Sequence, residues 1–105
     1  MDECTELSEI KAHIERHEIS LVFIKMANCG VCDVVFEKTE RLLQKYPRVK
    51  SVAVSIEKTP AIAGEFLVFT APTILLFLHG KEVLRQSRFV RFEQLEEALD
   101  RTESM

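Results

Sequence analysis

A chain of 105 residues that is 47% hydrophobic suits one globular domain with one core, so a single domain over residues 1–105 is expected. Lys and Arg number 14 against 17 Asp and Glu, a net charge of −3 with no basic stripe, so nucleic acid is not an expected partner. The longest apolar runs, Leu21 to Ile24 and Thr73 to Leu78, fall far below the ~18 residues of a membrane span, and the acidic start Met1-Asp2-Glu3-Cys4 lacks the apolar stretch of a secretory signal, so no membrane association and a cytoplasmic location are expected.

Thr5 is placed to cap a first helix, with Glu6 and Glu9 near its positive end, and Leu7, Ile10, Ile14 and His17 recur at helical spacing. His13 and His17 share a face at i and i+4, but without further ligands they read as surface or packing residues. Ser20 to Met26 is nearly continuous apolar sequence, as in a strand covered on both faces. After Cys32, Val35, Phe36, Thr39, Leu42, Leu43 and Tyr46 keep a helical period until Pro47 stops it. Lys50 to Ile56 alternates Val52, Val54 and Ile56 with the smaller Ser51, Ala53 and Ser55, which predicts a second strand.

Thr59-Pro60 then supplies an N-cap and a first-turn proline for a short helix to about Phe66. Thr73 to Leu78 is a buried strand, His79-Gly80 a tight turn, and Lys81 to Ser87 the returning strand of a hairpin. Phe92, Leu95, Leu99 and Thr102 are spaced for a last amphipathic helix, after which Glu103-Ser104-Met105 is expected to fray. The order αβαβαββα predicts an α/β fold with helices on both faces of a four-stranded mixed sheet, its first two strands parallel and its closing hairpin antiparallel.

The stretch that carries chemistry is Asn28-Cys29-Gly30-Val31-Cys32, at the junction between the first strand and its helix. The CxxC spacing puts two sulfurs on one helical turn, close enough to form a disulfide. The free N–H groups and positive dipole end there favour a thiolate over a thiol. Half of a zinc site is the other reading of such a pair, but zinc takes four ligands and no second CxxC or Cys-His cluster is present, so no metal is expected. Cys4 has no visible mate and is assigned no role.

With CxxC after the first strand, Phe66-x-Val68-x-x-x-Pro72-Thr73 leading into an apolar strand, and Gly80 in the hairpin turn, the chain resembles the thioredoxin family from about Leu7 to its last helix. That resemblance implies a three-layer α/β/α fold, although the N-terminal strand of typical members looks to be missing. It also implies a cis bond before Pro72. Several positions depart from the family pattern: Asn28 replaces a Trp, Val31 a Pro, Phe23 the buried Asp that assists the second thiol, Asp33 a basic residue, and Arg88 a groove Gly. Lys25 stands where another Trp is common. A glutaredoxin is a weaker match, because its Gly-Gly-x-Asp motif is missing.

The function implied is a thiol-disulfide oxidoreductase that reduces or exchanges disulfides of protein partners. It would need no cofactor, would be recharged by an electron-donating reductase, and is expected to be a monomer. Cys29 would be the exposed nucleophile and Cys32, one turn deeper, the resolving thiol. Gly30, Val31, Ala71, Pro72 and Thr73 would line the substrate groove, with the Ala71 backbone pairing an extended partner chain. Phe69 is either a further groove residue or a core aromatic, and Arg88 is a further groove candidate. Lys25 would lower the Cys29 pKa if its side chain turns toward the site, while Asp33 opposes it. A second class of function stays open: a binding module that keeps the groove but does not turn over its CxxC.

Overall fold

The computed structural model describes residues 1–104. In chain order the elements are β1 (Asp2–Glu3), α1 (Leu7–Arg16), β2 (Ile19–Lys25), α2 (Gly30–Leu43), β3 (Val49–Ser55), α3 (Ala61–Phe66), β4 (Thr73–Leu78), β5 (Lys81–Ser87) and α4 (Phe92–Glu103). The sheet has five strands in the order β1-β3-β2-β4-β5. β1, β3 and β2 run parallel, and β4 and β5 are antiparallel additions.

The fifth strand corrects the expected count of four. β1 pairs in register Asp2 to Val52 and Glu3 to Ala53 at the sheet's edge, and Cys4 N–H extends it with a 2.8 Å bond to the Ala53 carbonyl. Two acidic residues carry no apolar alternation, so this strand, held by backbone pairing and by ion pairs of Glu3 with Lys25 and Lys58, leaves no mark in the hydropathy pattern.

β2 is central because both of its faces are apolar. Ile19, Leu21 and Phe23 join the core beneath α2 and α4, with Val35, Tyr46, Leu95 and Leu99. Val22 and Ile24 point the other way, into a second core with Ile10 and Ile14 of α1 and Ile62 of α3. A strand's period of two thus divides one apolar run between two helical layers.

Helix ends differ from expectation by local chemistry. Thr5 does not cap α1; Glu6 occupies the cap position, and its side chain makes no capping bond. Thr59 donates its Oγ1 to the Thr5 carbonyl at 2.9 Å, and the cap position of α3 is taken by Pro60, with no side-chain capping bond. α2 ends at Leu43, before Pro47, because the chain tightens into a final turn with Tyr46 N–H bonded to the Leu43 carbonyl at 2.9 Å.

The expected fraying holds for neither Glu103 nor the turn it closes. Glu103 stays helical, and Arg48 binds it through its backbone N–H to the carboxylate at 3.0 Å and its guanidinium to the carbonyl at 2.5 Å. Met105 lies outside the described residues. The His79-Gly80 turn has both residues at positive φ, 51° and 79°, the two-residue geometry that follows the twist of a hairpin. No helix among the described residues is long and apolar enough to cross a membrane.

One buried polar contact ties α2's end to α4. The Tyr46 hydroxyl donates to the Asp100 carboxylate at 2.5 Å, and burial together with that bond pushes the Tyr46 pKa well above its ordinary value. Tyr46→Phe keeps the ring and removes the bond, leaving Asp100 to water. Urea unfolding should register a loss of about 1 kcal/mol.

Candidate active site

Cys29 is the N-cap residue of α2, and Asn28 before it takes a left-handed φ of 57°, a conformation Asn tolerates. That turn ends β2 and sets Cys29 at the mouth of the helix. Its Sγ accepts from the Cys32 backbone N–H at 3.1 Å, so the sulfur occupies the place a capping Ser or Asp would fill. Cys29 and Cys32 form a disulfide with a Cα–Cα distance of 5.2 Å, within the usual range. Cys32 is 2% exposed and faces the core, whereas Cys29 is half-buried and Gly30 and Val31 are exposed. Cys4 remains a free thiol on the far side of β3's pairing, where burial and then Glu9 push its pKa up.

The Ala71–Pro72 peptide is cis. Thr73 pairs with Ile24 of β2, so Pro72 lies at the edge of the sheet from which β2 runs into Cys29. Arg88 N–H donates to the Pro72 carbonyl at 2.7 Å, and Arg88 holds a φ of 64° at the position where the resemblance places a Gly. Thr73 is fully buried between β2 and β5, and its Oγ1 donates to the Thr70 carbonyl at 2.8 Å. Its side chain therefore reaches no surface, against the expectation that Thr73 lines a groove. Ala71, half-buried, has no backbone hydrogen bond among the described residues. Phe69 is 73% exposed and is therefore not a core aromatic. Phe89, 81% exposed and stacked beneath the Arg88 guanidinium at 5.7 Å, is a further apolar surface that the sequence reading missed.

Beneath the motif, Phe23 is fully buried and its ring meets Phe36 of α2 edge to face at 5.2 Å. An aromatic ring fills the space where the resemblance expects a carboxylate, so Cys32 has no acid below it in the strand. Beside Cys29 opens a cleft of about 460 Å³ lined by Glu3, Lys25, Asn28, Asp33, Ser55 and Lys58 among others. Lys25 does turn to this cleft, and its ammonium pairs with Glu3 at 2.9 Å while lying 5.8 Å from the Phe36 ring centroid.

Glu57 accepts from the Ala27 backbone N–H and, at 2.9 Å, from the Ser55 hydroxyl, and the Ala27 bond holds its carboxyl below the usual range. This contact fastens the loop that carries Asn28 and Cys29. Glu57 and Lys58 escaped the sequence reading, although a topological signal existed. β2 and β3 are parallel, so residues that follow both strands meet at one sheet edge. Glu3 was missed with its strand.

A disulfide closed across the first turn of a helix, beside a cis-proline at the carboxyl edge of β2, defines a thioredoxin-fold dithiol protein. The thioredoxin family profile matches residues 3–101, and the chain belongs to the thioredoxin family. It is 39% identical over 95 residues to the thioredoxin-like protein YdfQ of Bacillus subtilis, a match covering 90% of this chain and 85% of that protein. A thioredoxin-like protein from Bacillus cereus is 38% identical, with a TM-score of 0.70 over 87% of this chain and 95% of that one. A mutant thioredoxin from Halobacterium salinarum superposes with a TM-score of 0.88 over 99% of this chain and 91% of that one, at 16% identity, a likeness of fold alone.

Proposed function

We propose that this protein is a thiol-disulfide oxidoreductase that reduces or exchanges disulfides of protein partners, with Cys29 as nucleophile and Cys32 as resolving thiol. The asymmetry of the two sulfurs supports this reading most directly: Cys29 caps the helix at the surface, while Cys32 is 2% exposed behind it. In the reduced protein the Cys29 thiolate attacks one sulfur of a partner's disulfide. A mixed disulfide forms and the partner's other sulfur leaves as a thiolate, which takes up a proton. Cys32, after losing its proton, attacks the Cys29 sulfur, frees the partner's second thiolate and closes the Cys29–Cys32 disulfide. Two electrons have then passed to the partner, and a separate reductase returns them.

Gly30, Val31 and Ala71 would form the groove that seats the partner, with the buried Pro72 and Thr73 shaping it from beneath. The free Ala71 N–H and carbonyl suit an extended chain added as a short strand, and exposed Phe69 offers it an apolar contact. Work as a monomer in the cytoplasm, where thiols are kept reduced, fits the same reading.

Dithiothreitol-driven reduction of a model protein disulfide tests it. Turnover above the dithiothreitol background, lost in Cys29→Ser, is the expected result. Groove binding without turnover would reject the proposal in favour of a binding module.

A further inference from the structure

The chemistry proposed for Cys29 leaves the charges beside it unused. Glu3 on β1 accepts from Lys25 at 2.9 Å through one carboxylate oxygen and from Lys58 at 3.3 Å through the other, and all three line the same cleft as Cys29. The Glu3 and Lys25 side chains are only 28% and 35% exposed, so this pair between β1 and β2 is partly desolvated, while Lys58, in the turn after β3, is 65% exposed.

We propose that Lys25 sets the acidity of the Cys29 thiol and that Glu3 is the positioning residue that holds Lys25 at the cleft while moderating its charge. The proposal rests on Cys29 being the attacking thiol. The groups that bear on Cys29 come from every neighbouring element. From α2 come the free N–H groups of the first turn and the Asp33 carboxylate, which oppose one another. Lys25 ends β2, Glu3 comes from β1, and Lys58 follows β3. Glu57 is engaged with Ala27 N–H and the Ser55 hydroxyl, and Arg88, behind Pro72, lies over Phe89.

With Phe23 in the strand below, the motif has no buried carboxylate to shape its titration. Lys25 is the cation whose place is held twice, by the Glu3 carboxylate and by the Phe36 ring, so its charge stays at the cleft instead of swinging into solvent. An ammonium held there lowers the energy of the Cys29 thiolate and offsets Asp33. Glu3 works in two ways: it keeps both lysines in place, and its own charge cancels part of theirs. Removing its charge but not its shape should therefore make Cys29 more acidic, not less.

The test reads the pH dependence of iodoacetamide alkylation at Cys29 in the reduced full chain. All variants carry Cys4→Ser, and the modified site is identified by peptide mass. Lys25→Met should raise the apparent pKa by about half a unit, roughly a threefold loss of thiolate at neutral pH. Glu3→Gln should lower it by a similar amount, and Lys25→Arg should restore the parent profile. An unmoved profile in Lys25→Met overturns the proposal. So does a rise in Glu3→Gln, which would mean that Glu3 acts only by holding the lysines in place and does not moderate their charge. Glu3→Gln and Lys25→Arg keep the experiment decisive if Lys25→Met melts below the assay temperature. Alkylation does not require turnover of a protein disulfide, so failure of the proposed oxidoreductase activity is scored separately.

Discussion

Cys32→Ser should accumulate mixed disulfides with partner proteins, seen as higher-mass bands that vanish under reductant, and Cys29→Ser should accumulate none. Without Cys32 the first attack proceeds and the second cannot, so the intermediate persists. Without Cys29 the remaining sulfur is 2% exposed and lies within the first turn, not at its cap, so a partner's disulfide cannot reach it. Steady-state reduction should be abolished in both variants. Capture by Cys29→Ser instead would reverse the two roles. In the parent protein the same intermediate should decay faster as pH rises, because Phe23 offers Cys32 no internal proton acceptor and water must take that proton. A pH-independent decay in single-turnover quench experiments would count against this.

Phe23→Asp, the change that restores an acid at this place in β2, should be among the most destabilising single substitutions in the chain. Phe23 is fully buried, pairs with Phe36 at 5.2 Å and sits between Ala53 and Ile74 in the sheet. Losing a buried phenyl ring costs about 3–5 kcal/mol from transfer and cavity, and burying a carboxyl without a partner adds to that.

The loss should also depend on pH. Burial raises the folded-state pKa of the introduced Asp above its unfolded value of about 3.9. The deficit therefore grows as pH rises above that value and levels off once the folded pKa is passed. Urea unfolding at pH 5 and pH 8 should find the variant weaker at the higher pH by more than the parent differs between the same two conditions. Parent-like stability at both pH values would mean that the strand tolerates a carboxylate there and that the ring is not what fills the core beneath the motif.

The aromatic core under the motif was half legible. Phe23 could be read as a departure from the family pattern, but its partner Phe36 lies on α2, and only the packing of that helix on β2 brings the rings together. Phe69 had two readings because an aromatic in a loop has no period to place it, and exposure decided between them. The starts of α1 and α3 lie at Glu6 and Pro60, neither with a side-chain capping bond, and α2 ends in a tightened turn, so backbone geometry and not residue type sets these ends. Thr59, which a local reading makes the cap of α3, lies one residue before it and donates its hydroxyl to the Thr5 carbonyl, far away in the chain.

By itself the sequence determined the α/β order, the central place of β2 and the CxxC at the start of α2. Each of these is written in local periodicity and spacing, and the short-range terms behind them act within one turn or one strand. Tertiary structure alone decided the fifth strand and the cleft beside Cys29. β1 is two acidic residues paired through their backbone with β3, and the Glu3, Lys25 and Lys58 bridge unites β1, the end of β2 and the turn after β3. Backbone pairing is blind to side-chain pattern, and an ion pair depends on distance in space rather than along the chain. Neither leaves a trace until the parallel strands are laid side by side.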